Sequence, residues 1–355
     1  MSRFNVAGFS DGELEFYSRQ MVMDAIGLNG QRKLKNAKVC LAGVGGLGSP
    51  IAVQLASMGV GRLRLVDMDV VEASNLQRQL LYGVDAVGYP KVEAAAKRLR
   101  QLNPYVEVEA LPVALTPVNA ERLIEGADVV VDGLDRMSPR YALNRACIET
   151  ETPYVFGAAI TEVGNASTII PGETPCLECF QGGIADEEMQ SCSLVGVHPS
   201  IINVIASIQV TEAVKIILGE RPSLAGKLLY CDLHDVSFHK VKVVKSDVCP
   251  VCGKGADRSP PALETRPVQE ICGRNGHRVY IFTPDDHMDI DLLALNRQLE
   301  SSGYDIDVKA SQGTTFSKGK DLRASVLKSG VTILEGVGTV EDAKELRSRL
   351  LSRSL

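Results

Sequence analysis

The sequence predicts an α/β protein with a doubly wound, mostly parallel sheet, followed by a small C-terminal α+β module. Three observations support this fold class. Apolar segments of strand type and helix type alternate along the chain. A glycine-rich loop joins the first strand to a helix. Two C-x-x-C pairs lie far apart in the chain, where a shared site would hold distant segments together.

The first strand and the first core helix are joined by a glycine-rich loop. Residues 38–42 are apolar and rich in strand formers, and residues 49–58 have the apolar spacing of a helix. Glycines let the backbone approach an anion closely, and the N–H groups and positive dipole end of the helix stabilise its charge. The pattern predicts a phosphate site at a Rossmann-like junction. Its glycines are Gly43, Gly45, Gly46 and Gly48.

The second strand, residues 62–66, is followed by two acids, Asp67 and Asp69. Asp67 has the spacing from the glycine loop at which an acid accepts hydrogen bonds from a ribose hydroxyl. A lone G-x-G-x-x-G motif is weak evidence. Strand, loop, helix, strand and acid in this order indicate a nucleotide site, with a mere tight turn as the alternative.

Two cations, Arg78 and Lys91, follow the second strand. In a doubly wound sheet this region can fold over the carboxyl ends of the strands, where the ligand lies. A nicotinamide cofactor needs no such cations for its chemistry. They suit a triphosphate whose α-phosphorus is attacked and whose pyrophosphate leaves. The sequence therefore favours ATP over NAD, although a solvated surface charge is the alternative for Arg78.

One further acid, Asp135, follows the apolar strand at residues 128–132. Magnesium prefers one or two carboxylates together with phosphate oxygens, so a single acid at this edge of the sheet is sufficient. We predict that Asp135 holds Mg²⁺. The alternative is that it caps the helix that begins near Ser138.

The chain contains nine cysteines. Residues 1–18 lack the apolar core of a secretory signal, so we expect a cytoplasmic protein without a membrane span. In that compartment cysteine pairs indicate metal ligands or redox groups before disulfides. Four thiolates suit a closed, structural Zn²⁺ site, with a redox dithiol as the alternative. The predicted ligands are Cys176, Cys179, Cys249 and Cys252.

The other cysteines differ in their surroundings. Cys192 lies outside both pairs, after a polar and acidic stretch, where a thiol is accessible to an acyl group or to sulfur. A covalent role and an incidental loop cysteine both remain open for it. Cys40, Cys147 and Cys231 lie in apolar segments and are predicted to be core thiols.

Together these motifs resemble those of the MoeB/ThiF/HesA family, prokaryotic relatives of ubiquitin-activating enzymes. The resemblance extends from Tyr17 to Cys252. It implies ATP-dependent adenylation of the C-terminal glycine carboxylate of a ubiquitin-fold carrier protein that ends in Gly-Gly. The matching motifs are Ser18-Arg19-Gln20, Gly43 to Gly48, Asp67-x-Asp69, Asn75-Leu76-Gln77-Arg78-Gln79, Gly88-x-Pro90-Lys91, Asp135, the two C-x-x-C pairs and Cys192.

The resemblance also implies roles for the matched residues. Asp67 contacts the ribose, Asp135 lies on the magnesium and phosphate side, and Arg19 reaches into the ATP site of a neighbouring subunit, so we expect a homodimer. Cys192 lies on a loop that crosses the active site, and either this thiol or an external sulfur donor captures the acyl adenylate. The remaining nucleotide contacts are Asp69, Asn75, Arg78, Gln79 and Lys91.

We divide the chain into an adenylyltransferase domain at residues 1–253, a linker rich in Gly, Pro and charge at 254–267, and a small α+β domain of open role at 268–355. The last domain is predicted to contain strands at 278–282, 304–309, 314–316 and 331–334 and helices at 289–299 and 340–351. Cys272 is predicted to precede a strand, which argues against a rhodanese-type active site.

Composition limits the remaining function classes. A hydrophobic content of 45% supports a substantial core, and a net charge of −6 argues against a nucleic-acid surface. An NAD-dependent oxidoreductase and a non-catalytic scaffold that binds a ubiquitin-like protein are the alternatives. The sequence does not distinguish molybdopterin, thiamin, tRNA thiolation or protein conjugation as the pathway of the carrier.

Overall fold

The structure is a computed structural model, and it describes residues 8–186, 195–254, 262–263, 266–272, 278–284 and 288–352. Within these residues the strands form two sheets. The first sheet consists of β1 (Lys38–Ala42), β2 (Arg62–Val66), β3 (Glu107–Leu111), β4 (Val129–Asp132), β5 (Tyr154–Ile160), β6 (Val163–Ile169), β7 (Lys227–Asp232) and β8 (Ser237–Lys242).

The first sheet is a mixed sheet with a parallel half. Its spatial order is β3-β2-β1-β4-β5-β6-β7-β8. The first five strands in this order pair in parallel, and the last three are antiparallel. The predicted α/β fold with a parallel sheet is confirmed, although the antiparallel strands make it more mixed than expected. Strands β1 and β4 are neighbours at the point where the strand order reverses, which is where doubly wound sheets bind ligands.

Helices cover both faces of this sheet. They are needed because the strands of a parallel sheet carry apolar side chains on both faces, and both must be shielded from water. Helices α3, α4, α5 and α9 pack on one face, and α6 and α7 on the other. Cys40, Cys147 and Cys231 are fully buried in these cores, as predicted. The helices are α1 (Asp11–Phe16), α2 (Ser18–Met21), α3 (Gly27–Asn36), α4 (Gly48–Met58), α5 (Lys91–Leu102), α6 (Ala120–Ile124), α7 (Met137–Glu149), α8 (Glu178–Gln181) and α9 (Pro199–Leu218).

Helix α9 is long and apolar enough to cross a membrane by length and composition. About half of its most apolar stretch is buried in the structure, where α9 packs against β5, β6 and α4. Its buried Gln209 donates to the carbonyl oxygen of Asp132, and its buried Glu212 accepts the N–H of Leu224. The core helix of a soluble protein meets the same test. His198 is the N-cap and accepts the N–H of Ser200, as its place before the helix suggests.

The second sheet is antiparallel, with the order β11-β12-β13-β14-β10-β9. Two helices pack on one of its faces, α10 (Leu292–Ser301) and α11 (Val340–Leu351). Cys272 ends the strand Val268–Cys272, which was not predicted, and it precedes the strand Arg278–Phe282, as predicted. The strands are β9 (Val268–Cys272), β10 (Arg278–Phe282), β11 (Asp305–Lys309), β12 (Gly313–Lys318), β13 (Leu322–Leu327) and β14 (Thr332–Glu335).

Candidate nucleotide site

The glycine loop between β1 and α4 packs against the end of β4. Gly43 has a φ of +86°, and a Cβ there would lie 2.6 Å from the carbonyl oxygen of Gly133. A Cβ on Gly48 would collide with the carbonyl oxygen of Gly43. At Gly45 a Cβ would meet only Gln79 among the described residues, at 3.6 Å. The loop is therefore packed against the end of β4 on one side and open at Gly45. The role of Gly133 could not be predicted, because its only sequence signal is that it follows a strand.

Asp67 lies directly under the glycine loop, at the end of β2. One carboxylate oxygen accepts the N–H of Val44 at 2.7 Å, and the other accepts the N–H of Asp69 at 2.8 Å. Burial raises the pKa of Asp67 to about 6, with a further rise from the charge of Asp69 and an opposing effect of Lys91. The predicted ribose acceptor is thus fixed in orientation and linked to the loop.

Asp69 and Lys91 form an ion pair, with 2.7 Å between Nζ and Oδ2. Burial alone would lower the pKa of Lys91, but the charges of Asp69 and Asp67 hold it above its ordinary value. Burial would raise the pKa of Asp69, but the charge and hydrogen bond of Lys91 hold it below its ordinary value. Both groups are therefore charged at neutral pH, and Lys91 is only 7% exposed.

The motif after β2 lies beside the loop. Asn75 is buried and ends a short 3-10 turn, and Arg78 donates to the carbonyl oxygen of Ser74 at 3.1 Å. Gln79 is 3% exposed, and its buried Oε1 accepts no hydrogen bond from any residue that the structure describes. A buried acceptor without a partner is costly, so a hydroxyl or amino group of a bound ligand that donates to Oε1 would satisfy it.

Asp135 is exposed in the connection between β4 and α7, and its negative charge contributes to the raised pKa of Lys91. It does not cap the helix. The N–H groups of Met137 and Ser138 are taken by Asp186, at 2.6 and 3.1 Å, and the Ser138 hydroxyl donates to the same carboxylate at 2.7 Å. The capping alternative for Asp135 is therefore wrong, because Asp186 occupies that role.

Two groups near Asp135 carry no separate sequence signal. Arg136 helps to hold the pKa of Asp69 low, after the larger effects of burial and Lys91, and donates to Gln269 of the second sheet. Asp132 is fully buried and accepts hydrogen bonds from Arg140 at 3.0 Å and Tyr154 at 2.6 Å. Asp132 thus braces the strand end from which the Asp135 connection leaves.

Two predicted site residues lie apart from this cluster. Arg19 is exposed on α2, and the structure contains one chain, so its expected reach into a neighbouring subunit stays a prediction. Cys192 lies outside the residues that the structure describes.

The four paired cysteines converge in space on the α7 face of the first sheet. Their sulfur atoms all lie within 4.8 Å of one another. Cys176 and Cys249 are 3.7 Å apart, and Cys179 and Cys252 are 3.4 Å apart. Hydrogen bonding from Cys176 lowers the pKa of Cys252 to about 5, whereas burial raises the pKa of Cys179 to about 11. The predicted meeting of the two pairs is confirmed, and the cluster could hold a metal ion.

The separations fit a tetrahedral ion. Zinc–thiolate bonds of about 2.3 Å place the sulfurs of a tetrahedral site about 3.8 Å apart. Four thiolates this close repel one another, so a divalent cation would allow all four to ionise together.

A glycine loop above a strand-end acid, at the point where the strand order reverses, defines an α/β fold of the nucleotide-binding class. Within that class, the profile of the ThiF family matches residues 17–251. The chain is 41% identical over 244 residues to a SAMP-activating enzyme E1 from Haloferax volcanii, across 68% of this chain and 90% of the relative.

A second relative matches most of the chain. It is a sulfur carrier protein ThiS adenylyltransferase from Bacillus subtilis, 31% identical over 332 residues, across 93% of this chain and 97% of the relative. A crystal structure of MccB from E. coli with ATP superposes with a TM-score of 0.60 and 27% identity, across 67% of this chain and 74% of that one. The chain belongs to the ThiF family, so the predicted resemblance is confirmed.

Proposed function

We propose that this protein uses ATP to adenylate the C-terminal glycine carboxylate of a ubiquitin-fold sulfur-carrier protein. The observation that carries the proposal is the glycine loop, which is open at Gly45 and meets only the amide nitrogen of Gln79 there among the described residues, with Asp67 bonded to the loop and the ion-paired Lys91 close to Asp67. The substrate class follows from the names of two relatives, a SAMP-activating enzyme and an adenylyltransferase of the sulfur carrier ThiS.

The chemistry follows from the charges around the loop. Asp67 accepts a ribose hydroxyl, and the loop N–H groups hold phosphate oxygens. The carrier carboxylate attacks the α-phosphorus, a new P–O bond forms, and the bond to the β-phosphate breaks with release of pyrophosphate. Lys91 and Arg78 stabilise the negative charge that develops there, with Arg19 of a second subunit as a further cation in a homodimer.

Asp135 is the residue that would hold Mg²⁺, because it is an exposed acid at the ligand edge of the sheet. When bound, the ion neutralises phosphate charge. The four cysteines would hold Zn²⁺ in a closed site with no open position, so its role is structural. Residues 1–253 are the adenylating domain in this proposal. The acyl adenylate is then captured by Cys192 or by an external sulfur donor.

The test is ATP–pyrophosphate exchange with each ubiquitin-fold protein of the same genome that ends in Gly-Gly. We expect exchange with one of them, because adenylation is reversible and requires the carboxylate. The matched control is the same carrier with its C-terminal carboxylate amidated, which should give none. No exchange with any intact carrier, in zinc-loaded dimeric protein, would contradict the proposal and redirect the search to a peptide or small-molecule carboxylate.

A further inference from the structure

A short two-stranded ribbon carries two charged residues of the nucleotide site. It consists of two segments, residues 69–71 and 88–91, which form an isolated antiparallel bridge at Val70 and Pro90 outside the two sheets. The N–H of Lys91 donates to the carbonyl oxygen of Asp69 at 2.9 Å, and the N–H of Gly88 donates to that of Val71 at 2.8 Å. Because the side chains of Asp69 and Lys91 are also ion-paired, any shift of this ribbon moves both charges together.

The second sheet holds this ribbon by hydrogen bonds. Thr315 of β12 is 1% exposed, and its hydroxyl donates to the carbonyl oxygen of Gly88 at 2.6 Å. Immediately after the ribbon, the carboxylate of Glu93 accepts the N–H groups of Ser311 and Gln312 at 3.0 and 2.8 Å. Bonds to a charged acceptor are roughly twice as strong as bonds between neutral groups.

Apolar packing adds to these bonds. Met68 and Val70 pack against the cluster of Ile281, Leu327 and Val331, whose side chains are almost fully buried. Gly88 has a φ of +89°, and a Cβ there would lie 2.9 Å from a methyl group of Val308. The ribbon therefore carries site residues and is packed closely against the second sheet.

Among the described residues, the remaining hydrogen bonds between the first domain and the second sheet lie at the same edge of the first sheet as the ribbon. Ser329 donates to the carbonyl oxygen of Pro112, just after β3, and Arg136, just after Asp135, donates to Gln269. These segments follow the carboxyl ends of parallel strands, which is the ligand edge of a doubly wound sheet. The second sheet is thus attached to the nucleotide site rather than to the back of the first domain.

We propose that the C-terminal module is a positioning element of the nucleotide site, and that Thr315 and Glu93 set the place of the Asp69–Lys91 ribbon. The proposal rests on the proposed function in taking ATP as the ligand. Small displacements of a charged group cost binding and rate disproportionately, so the contacts that fix the ribbon affect ATP. By reciprocity, ATP binding and docking of the module stabilise each other.

The test uses two adjacent threonines in the full chain. Thr315→Val removes the hydroxyl that donates to Gly88 and that also bonds to Ser325 within the module, so Ser325→Ala, which loses only the second bond, is a further control. Thr314→Val is the matched control, because Thr314 is equally buried at 1% exposure and donates to Asn296 within the module. We expect Thr315→Val to weaken ATP binding by about fivefold, the effect of one neutral hydrogen bond. Thr314→Val should stay within about twofold of the wild type in ATP affinity although it loses a comparable bond.

Two further readouts separate positioning from a general loss of stability. Thr315→Ser restores the hydroxyl and should restore ATP affinity. Glu93→Gln, on the part-exposed surface of α5, gives a second variant should Thr315→Val fail to fold, and it should also raise the KM for ATP more than it lowers kcat. Amide exchange at Ser311 and Gln312 should slow when ATP is added.

The outcomes distinguish the inference from the proposed function. Equal ATP affinity in the wild type, Thr315→Val and Glu93→Gln, together with carrier-dependent exchange, would overturn the inference alone. Weaker ATP binding in these variants without any carrier-dependent exchange would support the inference and overturn the proposed function. A wild-type chain that does not bind ATP would overturn both.

Discussion

The nucleotide site and the cysteine cluster hold charge in opposite ways. At the glycine loop, charged groups are paired with one another but leave acceptors for a ligand, such as Oε1 of Gln79 and the exposed carboxylate of Asp135. In the cluster the four sulfur atoms lie within 4.8 Å of one another. The first arrangement suits a ligand that is exchanged in each cycle, as the proposed reaction requires, whereas the second suits a permanently bound ion.

Because of this difference, substitutions in the two regions should have different effects. A change in the cluster removes a link between segments that are far apart in sequence, so it acts on folding. A change at the loop leaves those links intact and acts on ligand binding and catalysis. Variants of the two regions therefore test whether the proposed division between structural metal and reacting site is real.

The largest effect is expected from the cluster. Cys176→Ser should abolish stoichiometric zinc and lower the thermal midpoint strongly, because structural zinc sites contribute on the order of 10 kcal/mol to folding. Metal analysis and thermal unfolding measure both. Cys147→Ser is the control, since Cys147 is equally buried but lies outside the cluster, and it should keep its zinc. Wild-type protein that contains no zinc, and whose midpoint a chelator leaves unchanged, would end the zinc proposal.

At the reacting site, Asp135→Ala should lower carrier-dependent exchange by at least about a hundredfold, since loss of a metal contact costs several kcal/mol of transition-state stabilisation. Its thermal midpoint should stay near that of the wild type, because Asp135 is exposed. Asp128→Ala is the control at the opposite end of β4, where Asp128 accepts the N–H of Lys38. Full exchange in Asp135→Ala would remove that residue from the mechanism.

A smaller effect should follow from pH. Because the pKa of Asp67 is raised to about 6, the fraction of ionised Asp67 falls about tenfold between pH 7 and pH 5, and the Kd for ATP should rise by about the same factor. The effect of pH on folding has the opposite sign. Because the pKa of Asp67 is higher in the folded protein than its ordinary value, ionisation of Asp67 lowers the free energy of unfolding as the pH rises from about 4 to about 6. Calorimetry on Asp67→Asn should show weak ATP binding whose Kd changes little between pH 7 and pH 5. If the Kd of this variant depends on pH as strongly as that of the wild type, another group is responsible for the pH dependence.

Sequence patterns predicted a helix or strand most accurately where the residues of that segment alone determine its structure. The run of strand-forming apolar residues from Arg278 to Phe282 and the helical pattern of Val340 to Leu351 predict β10 and α11 with the observed bounds. Strand β13 was not predicted, because its buried Ser325 interrupts the apolar pattern and is satisfied only by Thr315 of the neighbouring strand. Long-range pairing, rather than propensity, determines that strand.

The same distinction holds for the site. Asp67, Lys91 and the glycines follow from strand ends and spacing. Gly133, Asp186 and Thr315 do not, because each acts on a segment far away in the chain: the glycine loop, the start of α7 and the ribbon, respectively. No spacing rule connects such residues, so only the folded arrangement identifies them.

Helix α9 has a consequence for the order of folding during synthesis. It is the apolar helix that passes the length and composition test for a membrane span. Its main packing partners, α3, α4, β4, β5 and β6, all precede it in the chain. Because a chain emerges from its N-terminus, most of the surface that covers this helix is made before the helix. This long apolar segment therefore depends on later segments for only a small part of its burial.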